Sequence, residues 1–315
     1  RLHATNVRPL DAAMVPRNSG AKKWTFYVGA GGAMGFLMAV GLILLMHQLD
    51  SRIHRVAQIE ELGGSGFLGA LPIIKDADSG QPNIMSRFQE AIRIVRTNIN
   101  FLAPDVDQRV IMVTSPQPRD GKSTTAYWMA ASLSQMGKKV LLVDADMRSP
   151  SLHGIVGIQR DEGLSDLIVG DVTLEKALRS TDFRNVSLLP AGRPIRDPAE
   201  SLASKRFASL LATFRESYDI VVIDTPPVLP VADATLMCRL VDVALVIGRC
   251  GNTEKSALTM ALAQLRRAKP RSLGVIANAA GVRAERYYYK GYDGYAYGEV
   301  PDFGLDDVAG EASKS

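Results

Sequence analysis

The chain has 315 residues, 46% hydrophobic and 22% charged, which is room for one main domain with appendages, since single cores rarely grow past about 250 residues. A net charge of +4, with Lys and Arg scattered among acids, gives no case for a nucleic-acid partner. The two cysteines, Cys238 and Cys250, sit in apolar contexts without metal-ligand spacing, which fits buried thiols of a reducing compartment better than a disulfide.

The first predicted element is an uncharged stretch, Trp24 to Met46, which as a helix spans about 34 Å and suits a bilayer core. Trp24, Phe26 and Tyr27 form an interfacial aromatic cluster at one end, and Gly31 and Gly35 supply a small-residue face for close helix packing. Basic residues flank both ends, so charge leaves the orientation open. Residues 47–81 turn polar and then Gly-rich, which reads as a linker with short ordered pieces, and the domain proper is expected from Pro82 to residue 282.

Within that domain Glu90, Arg93 and Arg96 recur every three residues and share one helical stripe, which by itself reads as a solvated face. Apolar runs then alternate with helical patterns: strands at Arg109–Thr114, Lys139–Val143, Val186–Pro190, Ile220–Ile223, Val243–Ile247 and Leu273–Ala277, with a helix at Lys122–Met136. Val/Ile/Leu runs separated by helices predict a mostly parallel sheet with helices on both faces. Strand, then Gln117-Pro118-Arg119-Asp120-Gly121-Lys122-Ser123-Thr124, then helix is the setting of a phosphate-binding loop. Backbone N–H groups face phosphate there, Lys122 reaches the β/γ oxygens and the Ser123 hydroxyl ligates Mg²⁺. Pro116 stands where the common pattern has its first glycine.

Two further strands end in acids, Asp144 and Asp146 after Leu141–Val143 and Asp224 after Val221–Ile223, at the edge where ligands of open α/β sheets bind. Ser123, Asp146 and Asp224 are the candidate Mg²⁺ ligands, a set of hard oxygen donors. Residues 283–315 carry Gly, Asp and Pro without apolar periodicity and are expected to form a flexible tail. Six of the nine tyrosines fall there: Tyr287, Tyr288, Tyr289, Tyr292, Tyr295 and Tyr297. Beside an ATP site they read as phosphoacceptors, each gaining roughly −1.5 to −2 charge.

The phosphate loop, the apolar triplet followed by Asp144-Ala145-Asp146-Met147-Arg148, and Asp224-Thr225-Pro226-Pro227 together resemble the bacterial tyrosine kinases of capsule and exopolysaccharide biosynthesis. Gly163-Leu164-Ser165 and Leu189-Pro190-Ala191-Gly192 strengthen the likeness, which runs from about Met85 to Ala280. Arg119 and Asp120 depart from the family's small or glycine-rich loop middle. The resemblance implies a P-loop NTPase-type α/β fold preceded by one transmembrane helix, and an ATP- and Mg²⁺-dependent autokinase acting on its own tyrosine cluster. Lys122, Asp144, Asp146 and Asp224 are then catalytic, with Asp144 as base, and Arg148 joins the loop in holding nucleotide. It further implies an inner-membrane protein with its kinase domain in the cytoplasm, in which residues 1–23 are the remnant of a periplasmic chain-length-determinant region. That region precedes Arg1 or comes from another chain. Implied partners are a ring of like subunits joined through Glu90, Arg93 and Arg96, the polysaccharide export machinery, and an opposing tyrosine phosphatase. Asn278 resembles in position an adenine-contacting Asn of related ATPases and reads first as a turn residue. The alternatives are a P-loop ATPase switch, whose signature lysine is replaced here by Gln117, and a non-catalytic membrane scaffold.

Overall fold

The computed structural model describes residues 20–73, 82–102, 104 and 107–281. Tyr287 to Tyr297, with the rest of the expected tail, lie outside the described residues, as do residues 1–19 and 74–81. The chain divides into two units between Ser51 and Arg52. The first contains helix α1 (Gly20–Leu49), within which Trp24–Met46 is long and apolar enough to cross a membrane. Large apolar side chains are exposed all around it, from Trp24 and Phe26 to Ile43 and Met46. A helix without a polar face has no solvated side to turn to water.

The second unit contains, in order, α2 (Val56–Gly63), β1 (Phe67–Pro72), α3 (Pro82–Leu102), β2 (Val110–Thr114), α4 (Lys122–Ser134), β3 (Val140–Asp144), α5 (Leu152–Val156), α6 (Leu164–Val169), α7 (Leu174–Ala177), β4 (Arg179–Ser180), β5 (Val186–Leu189), α8 (Pro198–Ala203), α9 (Lys205–Ser217), β6 (Ile220–Asp224), α10 (Asp233–Met237), β7 (Val243–Arg249), α11 (Lys255–Ala268) and β8 (Ser272–Ala280). The strands form one sheet in the order β1-β8-β7-β2-β6-β3-β5-β4, parallel throughout except for the β4–β5 pair at its edge. Every residue of β2 and β3 is buried, and successive side chains go to opposite faces. Val110, Met112, Leu141 and Val143 enter one core with α9 to α11, while Ile111, Val113, Val140 and Leu142 enter the other with α3 and α4.

The six strands expected from the sequence are all present. The domain start expected at Pro82 is too late. β1 pairs in parallel with β8 and closes one edge of the sheet, and Ile53, Val56 and Ile59 are buried in its core. A Gly-rich turn at Gly64–Gly66 separates α2 from β1, and elements this short carry too few periods to show in the sequence. Ile53 is also bonded through its backbone to Thr253 O (2.8 Å) and Gly251 N (2.7 Å) beyond β7.

Strand order determines the site. β6 lies between β2 and β3, with Val113 opposite Asp224 and Asp144 opposite Asp224 in register. Three strand ends distant in sequence therefore meet at one point of the carboxyl edge, where the loop after β2 turns into α4.

Candidate nucleotide-binding site

Gly121 closes the loop after β2 with φ of 93° and leads straight into α4, a left-handed conformation that glycine adopts without strain. From the first residue of α4, Lys122 extends its ammonium to within 2.8 Å of Asp146 Oδ2 and 3.6 Å of Asp224 Oδ1, and donates to Ser123 Oγ at 3.2 Å. Burial works to lower the Lys122 pKa, but the charges of Asp224 and Asp146 overcome it, so the group is held above its ordinary range. The ammonium is thus held between two carboxylates at the start of α4.

Asp224 is fully buried, and neither carboxylate oxygen has a hydrogen-bond partner. Burial raises its pKa, with the Lys122 charge opposing the rise. Asp144 is raised as well, by burial first and the Asp224 charge second. Unlike Asp224, it is well bonded: the N–H of Asp146 donates to Oδ1, and those of Ser151 and Leu152 donate to Oδ2, each at 3.2 Å. A buried carboxylate without partners is costly, and beside the Ser123 hydroxyl and Asp146 it fits a hydrated Mg²⁺ ion. Among the described residues no three His, Cys, Asp or Glu side chains form a ready cage. Mg²⁺ takes one or two carboxylates and completes its shell with water and phosphate.

A cavity of about 600 Å³ opens here, lined by Pro118, Arg119, Gly121 to Thr124, Asp146 and Arg148, with Pro226 and Pro227 among its other walls. Most of the loop residues expected at the site are thus at its surface. Gln117 and Asp120 are not: Asp120 is buried behind the loop and its Oδ2 accepts the Gln117 N–H at 3.1 Å, so that N–H is already committed. Asp144 and Asp224 are both buried outside the lining.

Arg148 holds Asp233, at the start of α10, through two hydrogen bonds of 3.0 and 3.2 Å. Ser151 donates to Ser123 Oγ at 2.7 Å. Neither Asp233 nor Ser151 was apparent from the sequence, because their partners lie 85 and 28 residues away. Asn278, read first as a turn residue, donates to Asp120 O at 2.8 Å.

On α3, Arg93 pairs with Glu90 at 2.7 Å, as the three-residue spacing predicts. Arg96 turns inward and donates to Ser132 O (2.6 Å) and Ser132 Oγ (3.0 Å) on α4. In this chain it docks two helices together.

A lysine at a helix start, a Ser beside it, and acids at two neighbouring strand ends of a parallel sheet define a P-loop nucleotide-binding α/β protein. The model of the AAA domain family matches residues 108–268. The chain is 36% identical over 205 residues to the tyrosine-protein kinase YwqD of Bacillus subtilis, covering 65% of this chain and 86% of that one. It is 35% identical over 313 residues to the tyrosine-protein kinase wzc of Salmonella typhi, covering 93% of this chain. The kinase domain of the Escherichia coli tyrosine kinase ETK superposes with a TM-score of 0.66 at 26% identity, over 72% of this chain and 94% of that domain. The chain belongs to the bacterial tyrosine-kinase family. It spans 43% of the length of the Salmonella relative and 41% of one from Ralstonia solanacearum.

Proposed function

We propose that this chain is the ATP- and Mg²⁺-dependent kinase part of a membrane-anchored protein-tyrosine autokinase, with the tyrosines from Tyr287 to Tyr297 as acceptors. The observation that carries this reading is the placement of Lys122 between Asp146 and Asp224 at an open cavity, the buried Asp224 carboxylate having no hydrogen-bond partner. On nucleotide binding Lys122 exchanges carboxylate for phosphate oxygens and neutralises charge on the transferred group, so positioning and electrostatics supply most of the catalysis. Magnesium, when bound, would share that neutralisation. Ser123, Asp146 and Asp224 are the residues to hold it. Asp144, whose burial raises its affinity for a proton, accepts the phenol proton once the N–H groups of Ser151 and Leu152 loosen their bonds to that carboxylate.

The apolar Trp24–Met46 stretch anchors the chain in the bacterial inner membrane, with the nucleotide site on the cytoplasmic side where ATP is available. The tail reaches the site of an adjacent subunit in a ring whose contacts include Glu90 and Arg93. Phosphate on several tail tyrosines repels nearby acids and releases the tail. That release regulates polysaccharide polymerisation and export, and an opposing phosphatase resets it.

The test is incubation of the full chain in detergent with ATP and Mg²⁺, followed by phosphotyrosine mapping. Tail phosphate is expected, reduced at least about a hundredfold in Lys122→Met and absent when all six tail tyrosines are Phe. Free phosphate without phosphotyrosine makes the protein an ATPase switch, and nucleotide binding without turnover makes it a scaffold.

A further inference from the structure

Three consecutive carbonyls of the phosphate loop are each held by a side chain from outside it. Asn252 Nδ2 donates to Pro118 O (3.3 Å), Arg249 Nη1 to Arg119 O (3.0 Å), and Asn278 Nδ2 to Asp120 O (2.8 Å). In a trans peptide the C=O and N–H point in opposite directions, so the N–H groups of Arg119, Asp120 and Gly121 are turned away from these donors. Arg119 and Gly121 line the cavity.

The Asp120 side chain secures the same arrangement from within. Its buried carboxylate accepts Thr253 Oγ1 (2.7 Å) and Asn252 Nδ2 (2.8 Å) on one oxygen and the Gln117 N–H on the other. Arg119 has φ of 67°, a backbone conformation that a non-glycine residue keeps only when its surroundings over-determine it. A Cβ on Gly121 would come within 2.1 Å of Asn278 Nδ2, so this contact requires the glycine.

We propose that Asp120 and Asn252 are positioning residues for nucleotide binding, a clamp that sets the loop's N–H groups toward phosphate before the ligand arrives. Asn252 is the pivot, because it bonds both the loop backbone at Pro118 and the Asp120 carboxylate. The clamp rests on the nucleotide-site reading above.

The full chain in detergent, with Mg²⁺ and a fluorescent non-hydrolysable ATP analogue, tests it through dissociation constant and thermal midpoint measured together. Asn252→Ala is expected to weaken binding about tenfold, the scale of one or two lost hydrogen bonds, with the ligand-free midpoint within about 2 °C of the unaltered protein. Asn252→Asp sets a second carboxylate against Asp120 and is expected to weaken binding about a hundredfold. Adding Asp120→Asn to it restores an amide–carboxylate pair with the roles exchanged and recovers at least about tenfold. Unchanged affinity in both single variants overturns the clamp, and so does an affinity loss that follows the loss of midpoint without recovery in the double variant. If the unaltered protein does not bind the analogue, the nucleotide-site reading fails first and takes the clamp with it.

Discussion

Two buried aspartates at opposite edges of the same sheet are treated in opposite ways. Asp242, just before β7 at the amino edge, is fully buried and fully bonded. Its oxygens accept from the N–H of Arg109 (3.1 Å) and Val110 (2.8 Å), from Arg215 at 2.8 and 3.0 Å, and from Arg271 at 3.1 Å. Asp224, at the carboxyl end of β6, is as deeply buried and has no hydrogen-bond partner on either oxygen. The first carboxylate joins β2, β7, α9 and β8 into one body. The second faces the Lys122 ammonium, 3.6 Å from Oδ1, and the folded state without ligand bears the cost of its burial.

The largest effect that could break this contrast is at Asp242. Removing it in Asp242→Ala takes the carboxylate from Arg215, which keeps only its bond to Leu240 O, and from the N–H groups of Arg109 and Val110, and a loss of about 3–5 kcal/mol is expected in denaturant unfolding. A change under about 1 kcal/mol would make the two acids alike. Asp224→Asn should act in the other direction. Its raised carboxyl pKa means that the folded state binds the proton more tightly than the unfolded chain does, so stability falls as pH climbs from the ordinary carboxylate range through about 6. The variant removes this penalty. Its gain over the unaltered protein is expected near zero at pH 4 and to grow to about 1–3 kcal/mol at pH 8, while Mg²⁺–nucleotide binding is lost. Thermal unfolding without ligand across that pH range measures it, and an equal or falling difference would contradict it. The smallest effect belongs to Arg271→Ala. That side chain is 64% exposed, and its pair with Asp242 is expected to contribute no more than about 1 kcal/mol by the same unfolding measurement.

The two edges also differed in how far they could be anticipated. Lys122, Ser123, Asp144, Asp146 and Asp224 stand in short local patterns, an apolar run followed by a fixed residue, so strand, turn and chemistry share one window of sequence. Asp242 stands in no such pattern. Its partners come from Arg109, Arg215 and Arg271, and only strand order brings them together. The same holds for the clamp on the phosphate loop: Asp120 was legible as a loop residue expected to hold nucleotide, not as a brace, and Asn252 and Thr253 were not legible at all. Their hydrogen bonds to it join positions more than 130 residues apart. The start of the compact unit was misplaced for a different reason. α2 and β1 are too short to show a period, and their identity as parts of the domain comes from pairing with β8.

The sequence by itself determined the alternation of buried strands and helices, the apolar span at Trp24–Met46 and the three motifs of the nucleotide site, because each depends on residues close enough to share a local period or turn. Tertiary structure decided which strand ends are neighbours, which carboxylates are satisfied and which are kept open, that Arg96 serves α4, and that Asp120 braces the loop from behind. These depend on the sheet order, which arises from packing two apolar faces at once and is written in no single segment.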